Sequence, residues 1–274
     1  MSPVPTVQTH KTDFFVYTPP AAAFSAQRIL LKPNLGYPVG PPATVSMGVL
    51  KTTLRGLRQA NPKAEILIVE GVCSPESLDE IAAVNGLTTL LRNLNDPGIR
   101  LLDADTLPLQ EYPNLSPAPV KFASMWAPAL LQEVDCRISL GALKQTTLNH
   151  QPLVSASLKN LYGLFPRAIY RARSLNSRGK LHLPSVPQVL QDIYFSIGHL
   201  FDGGIVDGHE RYYSKTWKPD RKTGAIALGK IFSGTDLIAV DREACRLAEM
   251  PMPEYLDVID TLRQKIKFRS EFSG

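Results

Sequence analysis

Glu65–Glu70 reads Glu-Ile-Leu-Ile-Val-Glu, the clearest strand in the chain, and its flanks constrain the fold more than any other stretch. Before it, Val45, Val49, Leu50, Leu54 and Leu57 recur at three- and four-residue spacing, which predicts a helix over 43–60 that Asn61-Pro62 stops. After it come Gly71 and then Ser74-Pro75-Glu76, which reads as a helix start with Ser74 as N-cap. Arg28–Pro33 (RILLKP) reads as a second buried strand, ended by Pro33, which has no N–H to give a sheet. Further short apolar runs at 99–103 and 134–140 read as strands. This β-α-β-α-β succession predicts an α/β fold: a mostly parallel, Rossmann-like twisted sheet with helices on both faces. No repeat or clear linker appears, so the expectation is a single domain with loop insertions over residues 13–274, preceded by a flexible arm at 1–12.

The remaining stretches read less sharply. Residues 13–18 are aromatic and apolar, as a strand would be, and 88–93 form a short helix. Four prolines between 107 and 119 predict an irregular surface excursion, with an edge strand at 120–123 and a short helix at 128–133. Residues 154–164 carry a helical pattern, while 167–180 are too rich in Ser, Asn and Gly for a packed element and read as a mobile loop. An amphipathic helix is expected over 186–200, a short strand over 203–208, a loop over 211–223, a last strand over 225–233, and helices over 237–250 and 253–268.

Charge is distributed unevenly along this frame. Fifty-six consecutive residues, 136–191, contain no Asp or Glu, yet hold Arg137, Lys144, Lys159, Arg167, Arg171, Arg173, Arg178 and Lys180. Of 30 basic and 25 acidic residues overall, 22 and 25 lie outside this window, so the window carries the positive charge and the rest is mildly acidic. Globular chains ordinarily intersperse signs, and a stretch without carboxylates is suited to facing an anion. Lys32, Asn34 and Lys144 stand just at or beyond strand ends, where open α/β sheets bind their ligands. Lys159, Asn160 and Arg167 complete the substrate-binding and reacting candidates within the window. Clustered cations lower a lysine's pKa toward a base or an amine nucleophile, and His182 titrates near neutrality, so Lys159 and His182 are the catalytic candidates, with Asp207 to orient the histidine. Glu70 reads as a ligand for a metal or a hydroxyl or as a turn carboxylate. A divalent-metal set of Glu70, Asp207, His209 and Asp236 lacks any ligand spacing that would support it. No metal is therefore assigned, and no cofactor is indicated.

Other classes are disfavoured. Cys73, Cys136 and Cys245 are far apart and make no Cys-x-x-Cys pair, so they read as reduced thiols of a cytoplasmic protein. There is no run of about 18 apolar residues to predict a membrane span, and residues 1–12 lack the apolar core of a signal peptide. No phosphate loop, dinucleotide fingerprint, nucleophile elbow or nucleic-acid-binding signature is present.

An ordered set of segments carries a family resemblance: Leu31-Lys32-Pro33-Asn34, Ile68-Val69-Glu70-Gly71, Ile138-Ser139 followed by Leu143-Lys144, and Ser157-Leu158-Lys159-Asn160-Leu161-Tyr162-Gly163. It continues with His182, Asp192-Ile193, Ile205-Val206-Asp207-Gly208 and Gly234-Thr235-Asp236-Leu237-Ile238-Ala239-Val240-Asp241. Over residues 28–250 the chain resembles the family called domain of unknown function 362. The resemblance implies no reaction and no role for any residue. Some members are fused to ferredoxin-type iron–sulfur modules, and this chain holds no such cysteine-rich module. A histidine often follows the lysine matched by Lys144; here Gln145-Thr146-Thr147 follow, and the nearest histidine is His150.

The functional expectation is an enzyme that acts on a small anionic metabolite, phosphorylated or carboxylate, held by a lysine- and arginine-lined pocket at the strand ends. The alternative is a non-catalytic binding or assembly protein that docks an acidic or redox-cofactor-bearing partner through residues 137–182. Convergence of Lys32, Lys144 and Lys159 into one enclosed pocket favours the first; arginines displayed on a flat exposed face favour the second.

Overall fold

The structure, a computed structural model, describes residues 6–148, 151–215 and 224–272, with side chains as far as 266. Its strands are β1 (Val7–Lys11), β2 (Arg28–Pro33), β3 (Glu65–Glu70), β4 (Ile99–Asp103), β5 (Leu109–Pro113), β6 (Ser124–Pro128), β7 (Cys136–Leu148), β8 (Gln151–Ser155), β9 (Gly203–Tyr213) and β10 (Ile226–Gly234). Its α-helices are α1 (Met47–Ala60), α2 (Leu78–Val84), α3 (Leu87–Leu94), α4 (Leu130–Glu133), α5 (Ser157–Asn160), α6 (Arg167–Tyr170), α7 (Val186–Ser196), α8 (Leu237–Leu247) and α9 (Glu254–Phe272).

Among the described residues the large sheet runs β1-β10-β9-β7-β2-β3-β4, with β8 paired to β7. The five strands from β4 to β9 are mutually parallel, and β10, β1 and β8 add antiparallel pairs. The protein is thus an α/β protein with a large, mostly parallel sheet. The chain leaves β2 for β3 and β4 on one side, then returns to β7 on the other. Where strand order reverses, the carboxyl ends of neighbouring strands leave a crevice, and here it lies between β2 and β7.

The apolar runs are needed because these strands bury both faces. Leu30, Leu67 and Val69 join one core cluster with Leu158, Val189 and Ile193, whereas Ile29, Leu31, Ile66 and Ile68 join another with Val49, Leu50 and Leu54. Pleating sends successive side chains to opposite sides, so β2 and β3 contribute to both clusters. Helix α1 begins at Ser46, whose side chain accepts from the Val49 N–H at 3.3 Å.

Several expectations give way to longer-range pairing. Residues 7–11 of the supposed arm are an edge strand on β10, and Met1–Pro5 lie outside the described residues. Residues 13–18 form a 3-10 turn, Thr12–Phe14, and extended coil in place of a strand. The proline-rich excursion is ordered as a two-stranded antiparallel ribbon of β5 and β6, with Pro113 and Pro128 at its ends, so the strand expected at 120–123 is displaced to 124–128. Helix α2 starts at Ser77, not at Ser74, because Ser77 and Glu80 form a reciprocal capping box. Strand β7 continues through Gly141 to Leu148, so Lys144 lies within it, paired on both sides, and not beyond its end; the helix expected over 154–164 divides into β8, α5 and the 3-10 turn Leu161–Leu164. The loop expected at 167–180 contains α6 and leads into the 3-10 turn Gly179–His182. Strand β9 extends to Tyr213, well into the loop expected from 211.

Candidate functional site

The ends of β2 and β3 carry an ion pair sealed from water. Lys32 Nζ lies 2.5 Å from Glu70 Oε1, and the two side chains are 1 % and 2 % exposed. Glu70 also accepts the Gly71 N–H at 2.8 Å and the Leu35 N–H at 2.5 Å, which gives the buried carboxylate the donors it needs. Burial draws the Lys32 ammonium below the ordinary lysine range, and Glu70 opposes that shift. Two glycines make the approach feasible. A Cβ on Gly163 would sit 2.5 Å from Glu70 Oε1 and 2.8 Å from Lys32 Nζ; one on Gly71 would sit 2.0 Å from the Gly163 carbonyl oxygen.

A hydrogen-bonded chain runs outward from this pair. Lys32 Nζ donates to Asn160 Oδ1 at 3.2 Å, as does Asn34 Nδ2 at 3.2 Å. Lys144 Nζ donates to Asn34 Oδ1 at 2.7 Å and to the Ala43 carbonyl at 2.9 Å. Asn160 Nδ2 donates to the Lys32 carbonyl at 2.7 Å and to Ser139 Oγ at 3.0 Å, so this one amide ties α5 to the end of β2 and to the body of β7. Helix α5 is itself seated by buried Asp241 of α8, which accepts the Ser157 and Leu158 N–H groups at 2.8 and 3.0 Å.

These groups border a cavity of about 250 Å³, with Lys32, Asn34, Glu70, Lys144, Lys159, Asn160, Arg178 and His182 all on its wall. Three lysines and an arginine thus face one carboxylate. Lys159 Nζ sits 3.3 Å from the centre of the Tyr162 ring, and among the described residues it has no hydrogen-bond acceptor. Desolvation, with lesser repulsion from Lys144, Arg178 and Lys32, brings its pKa down to about 7. Lys144 is brought down to about 8, again chiefly by burial. His182 packs edge-on against Tyr162, with ring centroids 5.8 Å apart, and stays exposed at the cavity's rim. Desolvation and the Lys159 cation keep its imidazole below its usual pKa and therefore neutral at pH 7. Its Nδ1 lies 3.2 Å from the Arg178 carbonyl, which can only accept; the hydrogen is then on Nδ1 and Nε2 keeps a lone pair.

Two expected site residues are elsewhere. Arg167 does not border the cavity: its Nε donates to Asp105 Oδ2 at 2.6 Å and its Nη1 to the Ser74 carbonyl at 3.2 Å. Asp207 does not orient His182. Its carboxylate accepts the Ser46 N–H at 2.8 Å and the His209 N–H at 3.1 Å, fastening the start of α1 to β9. Glu70, Asp207, His209 and Asp236 do not gather: Asp236 caps α8 and pairs with Arg263, and no cluster among the described residues could hold a metal ion. His150 lies outside the described residues.

Arg178 is the cavity residue that was not singled out in the sequence. It is buried, donating to the Val72 carbonyl at 2.8 Å, the Gly163 carbonyl at 3.2 Å, the Phe165 carbonyl and Cys73 Sγ at 3.1 Å. Its only sequence signal is a place in the acid-free window, where, of the seven other fixed cations, Lys144 of β7 and Lys159 of α5 border the cavity.

A family model described as "Domain of unknown function (DUF362)" matches residues 29–246. No curated protein matches the chain. Among solved structures, the lactate racemase apoprotein from Thermoanaerobacterium thermosaccharolyticum is similar at 14 % identity and a TM-score of 0.43, over 68 % of this chain and 43 % of that one. The chain therefore spans less than half the length of that protein.

Proposed function

The chain belongs to the domain of unknown function 362 family, and we propose from the chemistry of its own site that it is an enzyme acting on a small phosphorylated or carboxylate metabolite. The carrying observation is the cavity of about 250 Å³ whose wall holds three lysines and an arginine against a single glutamate. The cations do different work. Lys32 and Arg178 spend their donors on protein acceptors and supply field; Lys144 stands at the end of the Asn160–Asn34 chain; Lys159 offers an amine that burial keeps partly neutral at pH 7. A positive hollow with buried cations in its wall favours an anionic ligand, and a partly neutral amine and a neutral imidazole on the same wall supply a base or nucleophile to act on it. The strand order β4-β3-β2-β7-β9, and the division of β2 and β3 side chains between two core clusters, support a Rossmann-like twisted sheet clad by helices on both faces, with this site at its switch point.

A thermal-shift series with the full chain against sulfate, phosphate and small di- and tricarboxylates tests this. A ligand at 100 times its Kd stabilises a folded protein by about 2.7 kcal/mol, enough to move the melting point by several degrees. At least one anion class should raise it, and Lys159→Ala should fold yet lose the shift. No response to any anion, or an undiminished response in Lys159→Ala, would remove the proposal.

The docking alternative has its own observation. Arg171 and Arg173 are exposed beside Leu175, which is 66 % exposed, so the 137–182 segment also presents cations outward to an acidic or redox partner. Such an encounter would weaken steeply with salt. Among the described residues no helix is long and apolar enough to cross a membrane.

A further inference from the structure

Of the cations on the cavity wall, Lys159 is the one whose nitrogen has no acceptor among the described residues. Lys32 Nζ donates to Glu70, Asn160 and the Pro33 carbonyl, Lys144 Nζ to Asn34 and the Ala43 carbonyl, and Arg178 to three carbonyls and a sulfur. Lys159 instead lies over the Tyr162 ring at 3.3 Å, with Leu148, Leu153, Ala142 and Ala156 also on the wall. The Tyr162 hydroxyl is turned away, donating to the Leu181 carbonyl at 2.8 Å, so it gives this nitrogen no partner. An amine in apolar surroundings with neighbouring cations is held for use as a nucleophile rather than as a structural charge. The lowering of its pKa by burial agrees with that placement.

We propose that Lys159 is an imine-forming lysine and that the cavity takes a small anionic aldehyde or ketone, whose carbonyl carbon this amine attacks. The inference rests on the anion-site reading for the ligand's charged group and goes beyond it in naming the reacting bond. The neutral Nζ adds its lone pair to the carbonyl carbon, and the carbonyl π pair becomes an alkoxide. His182 Nε2, with its lone pair available and its ring on the same wall, carries the two nitrogen protons in turn, the first to the alkoxide to give a carbinolamine and the second to the departing hydroxyl. The C–O bond breaks, water leaves, and a C=N bond joins the substrate carbon to Lys159. Amine plus carbonyl gives imine plus water, with no change of oxidation state. The field of Lys32, Lys144 and Arg178, whose donors are met internally, attracts the substrate's carboxylate or phosphate into the cavity.

The test uses the full chain with sodium cyanoborohydride, which reduces imines but not ketones, and two probes: glyoxylate for a carboxylate and glycolaldehyde phosphate for a phosphate. Intact mass and peptide mapping locate the secondary amine. The expected result is one adduct, on Lys159, formed at least tenfold faster than on any surface lysine and slowed by excess sulfate; the probe that labels faster identifies the anionic group. Lys159→Arg should lose the adduct while keeping an anion-induced thermal shift, and if that variant does not fold, the mapped position in the unaltered chain decides. Labelling spread evenly over surface lysines, or no labelling, overturns the proposal. A sulfate-induced thermal shift without an adduct sinks the imine and leaves the anion site standing. An adduct at Lys159 without response to any simple anion sustains the imine and sinks the anion reading.

Discussion

Lys32 and Glu70 show how far a single residue's role depends on what surrounds it. As sequence, Glu70 is a strand-end acid open to several uses; in the fold it is the buried counter-ion of Lys32 and is fully supplied with donors. Breaking a buried pair by removing one partner costs about 3–5 kcal/mol, because the other charge is left unpaired, whereas replacing both costs less. Lys32→Met should therefore lower stability in urea by that order, and Lys32→Met with Glu70→Gln should recover part of it. Gly163→Ala should also cost about 1–3 kcal/mol, since its Cβ has nowhere to go but into the pair, and Gly163→Ala should disturb Lys159 reactivity as well. Lys159 gives a pH prediction of defined sign. Its folded pKa of about 7 lies below the ordinary lysine value, so between about pH 7 and 10 the unfolded chain binds more protons than the folded one. Its contribution to stability consequently rises with pH across that window. Lys159→Met should be more stable than the parent near pH 6, with the advantage shrinking as pH climbs toward 10. Lys32 and Asn34 were legible from a strand end, and Lys159, Asn160 and His182 from the acid-free window; Lys144 was marked by the window alone, since it lies within β7. Arg178 was not, since its partners are three backbone carbonyls, Cys73 Sγ and the distant Asp105, a combination no sequence displays; nor was the diversion of Arg167 to Asp105.

Elements with strong local periodicity match their expected spans: β2, β3, β4, α1, α3 and α8 fall within a few residues of expectation. The errors lie where pairing partners are distant. Strand β1 exists only because β10, more than two hundred residues away, supplies its ladder, and β5 pairs with β6 across a loop whose prolines suggested irregularity. The start of α2 was misplaced because two serines competed, and only Ser77 has a glutamate three residues on to reciprocate. Three aspartates in the family-like segments turn out to fasten elements together. Asp192 on buried α7 accepts from the Val120, Lys121 and Phe122 N–H groups and from Asn114 Nδ2, at 2.8–3.0 Å. Asp241 seats α5, and Asp207 ties α1 to β9. Hydrogen bonds to a charged group contribute roughly 1.5–3 kcal/mol each, so Asp192→Ala should lower stability by at least about 3 kcal/mol and open residues 114–122 to limited proteolysis. Protease resistance of that segment in the variant would contradict the role given to Asp192.

For the molecule as a whole, the topology and the charge pattern converge on one place. A sheet whose order reverses between β2 and β7 leaves a crevice there, and the acid-free stretch brings Lys144, Lys159, Arg178 and His182 to its wall. The sequence predicted that convergence through strand ends and charge, while the depth of the cavity and the commitment of three cations to internal partners follow from packing alone. The most direct test is calorimetric titration of sulfate, whose charge is constant over about pH 6–9, into the full chain. Lysines with pKa values of about 7 and 8 predict binding that is tight near pH 6, weakens across pH 7–8 as those amines lose their protons, and takes up a proton within that range. Absence of binding, or an affinity unchanged from pH 6 to 9 with no proton uptake, would contradict a cation-lined site built around Lys144 and Lys159.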